Sequence, residues 1–175
     1  MEADFARRSL AGALGGRMRV ATDKSEQKVI SDVQEHGWHV VLVTPDEAGP
    51  GFAFTIGLFH NFGHPEVILF GLPDKVAHSV LNLIGTSVKN GDRFQVGKRS
   101  SDLFERHEAV FVKFPVAAYH DYLGYARWFY SGDEFPALQC VWPDAEGKFP
   151  WEPGANEDLK IRQPIPDQTG DAGSR

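Results

Sequence analysis

The sequence predicts an α+β domain, built from a mostly antiparallel sheet of five or six strands and about three helices. Short runs of β-branched and aromatic residues alternate with turn residues, as strands require. Three other segments carry helix-end signals or apolar residues at helical spacing. The 175 residues suffice for one domain with a sizeable core. We therefore expect a single globular domain at residues 22–153, between a mobile N-terminal arm at residues 1–21 and a disordered C-terminal tail at residues 154–175.

Three helices are expected from their end signals and their apolar spacing. The first spans residues 23–36, because Asp23 and Glu26 form a capping-box pattern. The second spans residues 74–90, where apolar side chains recur on one face at 100° per residue. The third lies within residues 115–132, a segment that begins with proline, ends with glycine and repeats apolar residues at helical spacing.

The predicted strands are nearly continuous in apolar character. Such strands are typical of a sheet that is covered on both faces. The last strand contains Cys140, which we expect to be buried and chemically inert. The strands are expected at residues 38–43, 52–58, 67–70, 109–114 and 138–142, with a short extended piece at residues 93–96.

Composition excludes several classes of function. The net charge of −6 gives no electrostatic basis for binding nucleic acid or an anionic membrane. No segment approaches the roughly 20 consecutive apolar residues of a membrane helix. A single cysteine forbids an internal disulfide, so a cytoplasmic location is expected. No motif identifies a cofactor, and the oligomeric state cannot be read from the sequence.

The segment at residues 57–66 is the candidate functional site. It carries two histidines, one asparagine, one glutamate and two glycines between apolar strands. Loops that rigid strands hold in place often bind or catalyse, and imidazole suits both roles. We therefore expect a small-ligand-binding or enzymatic pocket formed by this segment. Its candidate ligand-binding residues are Thr55, His60, His64 and Glu66, with Arg99 or Trp142 at the rim.

Other interpretations of these residues remain open. His60 and His64 are four residues apart in a loop, a spacing that does not identify a metal site, and we assign no metal ligand and no catalytic residue. His64 and Glu66 also suit a tight turn in which they bond to the main chain while His60 is exposed. Arg99 lies in a short cationic and hydroxyl-rich stretch that suits a phosphate or carboxylate, and that also suits a solvated loop.

An aromatic ridge near the C-terminus supports a second hypothesis. We define it as Trp142, Phe149 and Trp151, which lie among prolines. Exposed aromatic clusters mark contact sites, so the chain would be a non-catalytic interaction protein of the immunity or accessory type. The ridge would equally clamp the C-terminal segment onto the sheet, and this interpretation is favoured.

Three motifs together resemble a known family. They are FAFTIGL at residues 52–58, GHPE at residues 63–66, and LQCVWPDAEGKFPW at residues 138–151. They resemble a widespread bacterial family of small proteins classed as a domain of unknown function. The resemblance covers about residues 37–151 and implies no particular activity, cofactor or catalytic residue.

Overall fold

The computed structural model describes residues 19–166 and has the α+β architecture that the sequence predicts. A six-stranded sheet forms its centre. Every residue of the central strands β3 and β6 is buried, as expected for a sheet covered on both faces. The strands are β1 (His39–Val43), β2 (Phe52–Ile56), β3 (Glu66–Phe70), β4 (Arg99–Ser100), β5 (Ala109–Lys113) and β6 (Ala137–Val141).

The strand order is β1-β2-β3-β6-β5-β4, and the sheet is mixed. Four of its five pairings are antiparallel, whereas β3 and β6 run parallel at the centre. We expected a mostly antiparallel sheet, because the sequence marks each strand but does not say which strands meet across a long connection. The order places β1 and β4 at the two edges of the sheet.

The first two predicted helices begin and end close to their expected positions. The side chain of Asp23 accepts a hydrogen bond of 2.8 Å from the main-chain N–H of Glu26, so the predicted cap of the first helix is confirmed. Within residues 19–166, no helix has the length and apolar character needed to cross a bilayer. The helices are α1 (Lys24–Glu35), α2 (Leu58–Phe62), α3 (Asp74–Lys89), α4 (Tyr119–Tyr122), α5 (Gly124–Tyr130) and α6 (Glu157–Arg162).

Helices cover both faces of the sheet, and each face has its own core. The buried side of α3 packs against β2, β3, β5 and β6 on one face. Helices α1, α4 and α5 pack against β2 and β3 on the other face. Trp38, just before β1, lies so close to α3 that a methyl group at Gly85 would be 2.3 Å from the indole carbon Cε2. The approach of Trp38 to α3 therefore requires glycine at position 85.

The third predicted helix is divided into three short pieces. A 3₁₀ turn (Val116–Ala118) leads into α4, and α5 follows after a break. At the break Leu123 has φ −109° and ψ 37°, outside the helical region, and its side chain is 1% exposed. Gly124 comes next, and glycine is a poor helix former. The helix is thus interrupted at a buried residue, Leu123, whereas the apolar spacing alone predicts a continuous helix.

The C-terminal segment is ordered well beyond residue 154. Helix α6 begins at Asn156, whose side chain caps it by accepting the N–H of Asp158 at 2.8 Å. Leu159 and Gln163 are buried, which anchors α6 against the domain. Residues 154–166, which the sequence assigns to a disordered tail, therefore contain a short helix whose buried anchors the polar composition hid. Residues 167–175, and residues 1–18 of the expected N-terminal arm, lie outside the described part of the chain.

Two local expectations are also corrected. The segment at residues 57–66 is not a continuous loop, because it contains the five-residue helix α2, and β3 begins one residue earlier than predicted, at Glu66. The extended piece expected at residues 93–96 forms no strand. Strand β4 follows that piece and is only two residues long.

Candidate functional site

A tight reversal between β2 and β3 brings the candidate residues together. Gly57 has φ 113° and Gly63 has φ 63°, so a glycine with a left-handed conformation lies at each end of α2. A Cβ atom at Gly57 would lie 2.8 Å from the carbonyl oxygen of Gly37, which excludes larger residues there. The chain thus returns at once into β3, and the Glu66 side chain reaches the start of α2.

Glu66 is the centre of this cluster and is 0% exposed. Its Oε1 atom accepts hydrogen bonds from the main-chain N–H groups of Gly57 at 2.8 Å and Phe59 at 3.2 Å. The hydroxyl of Tyr130 donates to the same oxygen at 2.5 Å, and the hydroxyl of Thr55 donates to Oε2 at 2.7 Å. The carboxyl group therefore caps the first N–H groups of α2 and connects β2, β3 and α5.

Burial dominates the electrostatics of the cluster. It raises the pKa of Glu66, although the bonds from Thr55, Tyr130 and two main-chain N–H groups act in the opposite direction. Burial, followed by the charge of Glu66, raises the pKa of Tyr130 well above its ordinary value. Tyr130 consequently stays protonated and serves as a hydrogen-bond donor to the carboxyl group across the working pH range.

Thr55 links this carboxyl group to the sheet. Its Oγ1 atom accepts the main-chain N–H of Val67 at 3.0 Å while its hydroxyl hydrogen points to Glu66. The side chain thereby takes the place of a main-chain acceptor where the β2–β3 pairing ends. Thr55 therefore continues the hydrogen bonds between β2 and β3 into the turn.

His64 is held by the main chain on both sides of its ring. Nδ1 lies 2.7 Å from the carbonyl oxygen of Pro65, and Nε2 accepts the N–H of Phe94 at 3.0 Å. These partners define a neutral imidazole with its proton on Nδ1. Burial, followed by the charge of Arg93 and then that of Lys98, lowers the pKa of His64, although the bond to the Pro65 carbonyl acts to raise it. The 1% exposed ring therefore ties the β3 entry to the loop before β4.

His60 lies on the exposed side of α2, away from His64. Its ring meets Phe129 edge-on with ring centroids 5.5 Å apart, and desolvation lowers the pKa of its imidazole. Its main-chain N–H donates to the hydroxyl of Tyr130 at 3.2 Å. The structure thus brings Thr55 and Glu66 together and connects His60 to them only through Tyr130. Sequence reasoning did not select Tyr130, because its aromatic segment has the composition of a core helix.

The two expected rim residues lie elsewhere. Arg99 is in the edge strand β4, 3.9 Å from the carboxylate of Glu108 and 5.2 Å from the ring centroid of Phe149. It borders a hollow of about 200 Å³ that Asp92 and Asp102 also line, so carboxylates offset its positive charge there.

Trp142 packs the C-terminal segment onto the sheet. Its indole N–H donates to the carbonyl oxygen of Phe70 at 2.8 Å, and Gln163 bonds to both its main-chain N–H and its carbonyl. The guanidinium of Arg162 lies 5.0 Å from the indole centroid. The clamp interpretation of the aromatic ridge is therefore confirmed for Trp142, whereas Trp151 is 50% exposed and stacks on the buried Phe149.

Two larger hollows lie along the outer edge of β1. One has a volume of about 460 Å³ and lies beside α1 and α5, where Lys24, Val29 and Tyr125 line it. The other has a volume of about 670 Å³ and extends from α1 to α3, with Trp38 and Asn82 in its wall. Both hollows share the β1 residues His39, Val40 and Leu42, whereas none of Thr55, His60, His64 and Glu66 lines either one.

The ladder pattern shows which main-chain groups of β1 point outward. The N–H of Gly71 donates to the carbonyl of Gly51. The main-chain N–H and C=O groups of residues 51, 53 and 55 therefore point toward β3. The main-chain groups of residues 52, 54 and 56 point toward β1, where these residues pair with residues 43, 41 and 39. The main-chain N–H and C=O groups of Val40 and Leu42 consequently point away from the sheet. Among the described residues no strand lies on that side.

The described residues offer no cluster for a metal ion. Within residues 19–166 no three histidine, cysteine, aspartate or glutamate side chains are grouped closely enough to hold one. Cys140 is completely buried in β6, and burial raises the pKa of its thiol to about 12. A thiolate nucleophile is thus disfavoured at this position.

The fold and these sites define a small α+β domain with a closed polar cluster and an open sheet edge. The chain belongs to the DUF4262 family, whose description is a domain of unknown function and which residues 32–156 match. The expected membership of such a family is confirmed, while the bacterial origin stays a prediction from resemblance. No curated protein and no solved structure matches the chain.

Proposed function

We propose that this chain is a non-catalytic interaction domain that binds an extended polypeptide by adding it as a strand to the outer edge of β1. The observation that carries the proposal is the unpaired outer side of β1, bordered by two hollows. The outward N–H and C=O groups of Val40 and Leu42 supply the hydrogen bonds for an added strand. The two hollows take its side chains, which alternate between the two faces.

The two edges of the sheet differ in a way that supports this choice. Proteins ordinarily protect an edge by making it short, by placing charged residues or proline in it, or by covering it. Strand β4 is two residues long and carries Arg99, so it is protected. Strand β1 has five residues, His39-Val40-Val41-Leu42-Val43, without lysine, arginine, proline or glycine. Leu42 is 41% exposed there, so an apolar side chain is available to a partner strand.

The polar cluster around Glu66 has the character of a structural network. The carboxyl group accepts four hydrogen bonds from within the protein, and both ring nitrogens of His64 have main-chain partners. Groups satisfied in this way gain little by binding a ligand. Ligand binding at the candidate residues stays a separate prediction. These residues are Thr55, His60, His64, Glu66, Arg99 and Trp142. The ring of His60 is exposed, so a bound small molecule would be detected by its contact with that ring.

A peptide-display experiment tests the proposed function. Immobilised full-length protein is panned with a library of random seven-residue peptides, alongside Leu42→Lys and a matched control, Leu83→Lys. Leu83 is also exposed, at 49%, but lies on α3. We expect one peptide pattern to be enriched by the wild type and by Leu83→Lys and to be lost with Leu42→Lys. Enrichment that Leu42→Lys leaves intact would contradict the proposal, and so would a monomeric protein that enriches no peptide.

A further inference from the structure

We infer that the strand added to β1 is β1 of a second copy of this chain, antiparallel and related by a two-fold axis beside Val41. This inference rests on the proposed function, because it names the partner of the same edge. A two-fold interface requires one surface to be complementary to itself. The edge of β1 meets that condition in its hydrogen bonds, its apolar side chains and its charges.

The hydrogen-bonding pattern allows a register centred on Val41. An antiparallel pair exchanges two hydrogen bonds between residues that both point toward the partner strand. In β1 those residues are Val40 and Leu42, which are two apart, with Val41 between them. A two-fold axis at Val41 therefore sets Val40 of each copy opposite Leu42 of the other. Both pairs then bond, and the two sheets join into one.

The apolar side chains fit the same register. Side chains of Val40 and Leu42 lie on the α3 face of β1, because Val40 packs with the core on that face and the two residues share a side of the strand. Leu42, 41% exposed in the single chain, would be covered by Val40 of the second copy. The hollow of about 670 Å³ that extends from α1 to α3 is lined by both residues and leaves room for the second copy's side chains.

The charges on α1 are arranged as a two-fold interface requires. Lys24 and Lys28 lie in the first half of α1, and Asp32 and Glu35 lie in its second half. All four residues line the hollows beside β1. Glu26 also lies in the first half, and Lys28 and Asp32 already pair with each other at 2.8 Å, so Lys24 and Glu35 are the charges left to meet across the axis. The two-fold axis reverses the direction of the second helix, so Lys24 of one α1 faces Glu35 of the other. Lys24 and Glu35 are exposed in the single chain, and each is free to meet its counterpart across the axis.

The mass of the protein in solution is the first measurement. Sedimentation equilibrium of the full chain at micromolar concentration should give twice the chain mass of 19.4 kDa. Leu42→Lys should weaken the dimer about tenfold or more, because it places a charge in the paired edge. The control Leu83→Lys should dimerise like the wild type. Amide exchange at Val40 and Leu42 should be slow in the dimer and fast in Leu42→Lys.

A charge exchange tests the arrangement of the helices without altering β1. Lys24→Glu and Glu35→Lys should each weaken the dimer, because each sets like charges across the axis. The double variant Lys24→Glu/Glu35→Lys should restore the wild-type dissociation constant, since the opposite charges meet again with their positions exchanged. Circular dichroism checks that all three variants stay folded.

The outcomes separate this inference from the proposed function. A monomer that enriches β1-dependent peptides would overturn self-pairing and leave the proposed function standing. A dimer indifferent to Leu42→Lys would place the contact on another face and overturn self-pairing. A monomer that enriches no peptide would overturn both. A dimer that is lost with Leu42→Lys, weakened by each single charge variant and restored in the double charge variant would support both.

Discussion

The hydroxyl oxygen of Tyr130 lies 2.5 Å from Oε1 of Glu66 and joins the end of α5 to the first residue of β3. The two residues are 64 positions apart in the chain. A second bond, from the N–H of His60 to the same hydroxyl, adds α2 to the contact. Three elements thus meet at one buried carboxyl group, and the stability of the β2–α2–β3 reversal depends on it.

Removing the hydroxyl of Tyr130 should destabilise the fold. Tyr130→Phe leaves the ring packing but removes one donor from Glu66 and one acceptor from the N–H of His60. We expect a loss of about 1–3 kcal/mol in the free energy of unfolding, because a buried polar group loses its partner. Urea denaturation measures it. Tyr125→Phe is the matched control: Tyr125 is 39% exposed, and its change should have little effect. Equal stability of the two variants would contradict the role assigned to Tyr130.

The imidazole of His64 should make the fold sensitive to mild acid. Because burial lowers the pKa of His64 in the folded protein, the unfolded chain binds the proton more tightly. The stabilising contribution is complete above the unfolded value of about 6.5 and declines as the pH falls through the window between that value and the lowered pKa. His64→Asn should reduce this slope of stability against pH.

The control for His64 must distinguish its contribution to the pH dependence of stability from that of His60. Desolvation lowers the pKa of His60 as well, so His60 contributes in the same pH window. His60→Asn should change the slope without the stability loss of His64→Asn at pH 7, because only His64 accepts the buried N–H of Phe94. Nitrogen-15 shifts of the ring followed through a pH titration measure the pKa of His64 in the folded protein. A pKa at or above the unfolded value of about 6.5 would contradict the assignment.

Asp144 should give the closing turn its own acid sensitivity. Its carboxylate accepts main-chain N–H groups of Glu146, Lys148 and Asn156, and these bonds, chiefly the one from Lys148, lower the pKa of Asp144. A lowered carboxyl pKa contributes stability above the unfolded value of about 3.9, and this contribution is lost as the pH falls through the folded value.

The measurement for Asp144 is thermal unfolding between neutral and acid pH. Asp144→Asn should lower the melting temperature at pH 7 and flatten its decline below about pH 4, because the titrating group is gone. Asp102→Asn is the control, since Asp102 is an exposed loop residue. The prediction is wrong when Asp144→Asn and Asp102→Asn give the same melting temperatures across the range.

A methyl group at position 85 should disrupt the contact between Trp38 and α3. The added carbon would lie 2.3 Å from Cε2 of the indole, so the helix or the ring must move. We expect Gly85→Ala to cost about 1–3 kcal/mol, as overpacking does. Gly124→Ala is the control, since no atom lies within 4 Å of a Cβ there and alanine favours a helix. Denaturation of both variants checks the prediction, and a Gly85→Ala variant as stable as Gly124→Ala would contradict it.

Local signals in the sequence predicted much of the fold. The Asp23 cap of α1, the extent of α3, the position of β1 and the burial of Cys140 follow from neighbouring residues, and each is confirmed. The same signals failed where distant contacts decide. The apolar spacing predicted an unbroken helix through Leu123, where the structure has a break. The polar composition of the C-terminal segment gave no sign of the buried residues that anchor α6.

The candidate site divides in the same way. The sequence placed Thr55 and Glu66 at one candidate site and left open whether His64 would bond to the main chain, as it does. It did not indicate Tyr130 or Phe94, because they approach from 64 and 30 residues away. It gave no sign that β1 would lie at an edge, since strand order depends on the parallel pairing of β3 with β6.

The sequence by itself thus determined the elements, their caps and the apolar faces that they bury. These depend on interactions within a few residues, which composition and spacing record directly. Only the tertiary structure decided that the polar cluster is closed and that the outer side of β1 is open. Both features depend on contacts between strands and helices that are far apart in the sequence. The free energy that favours those contacts is distributed over the whole core.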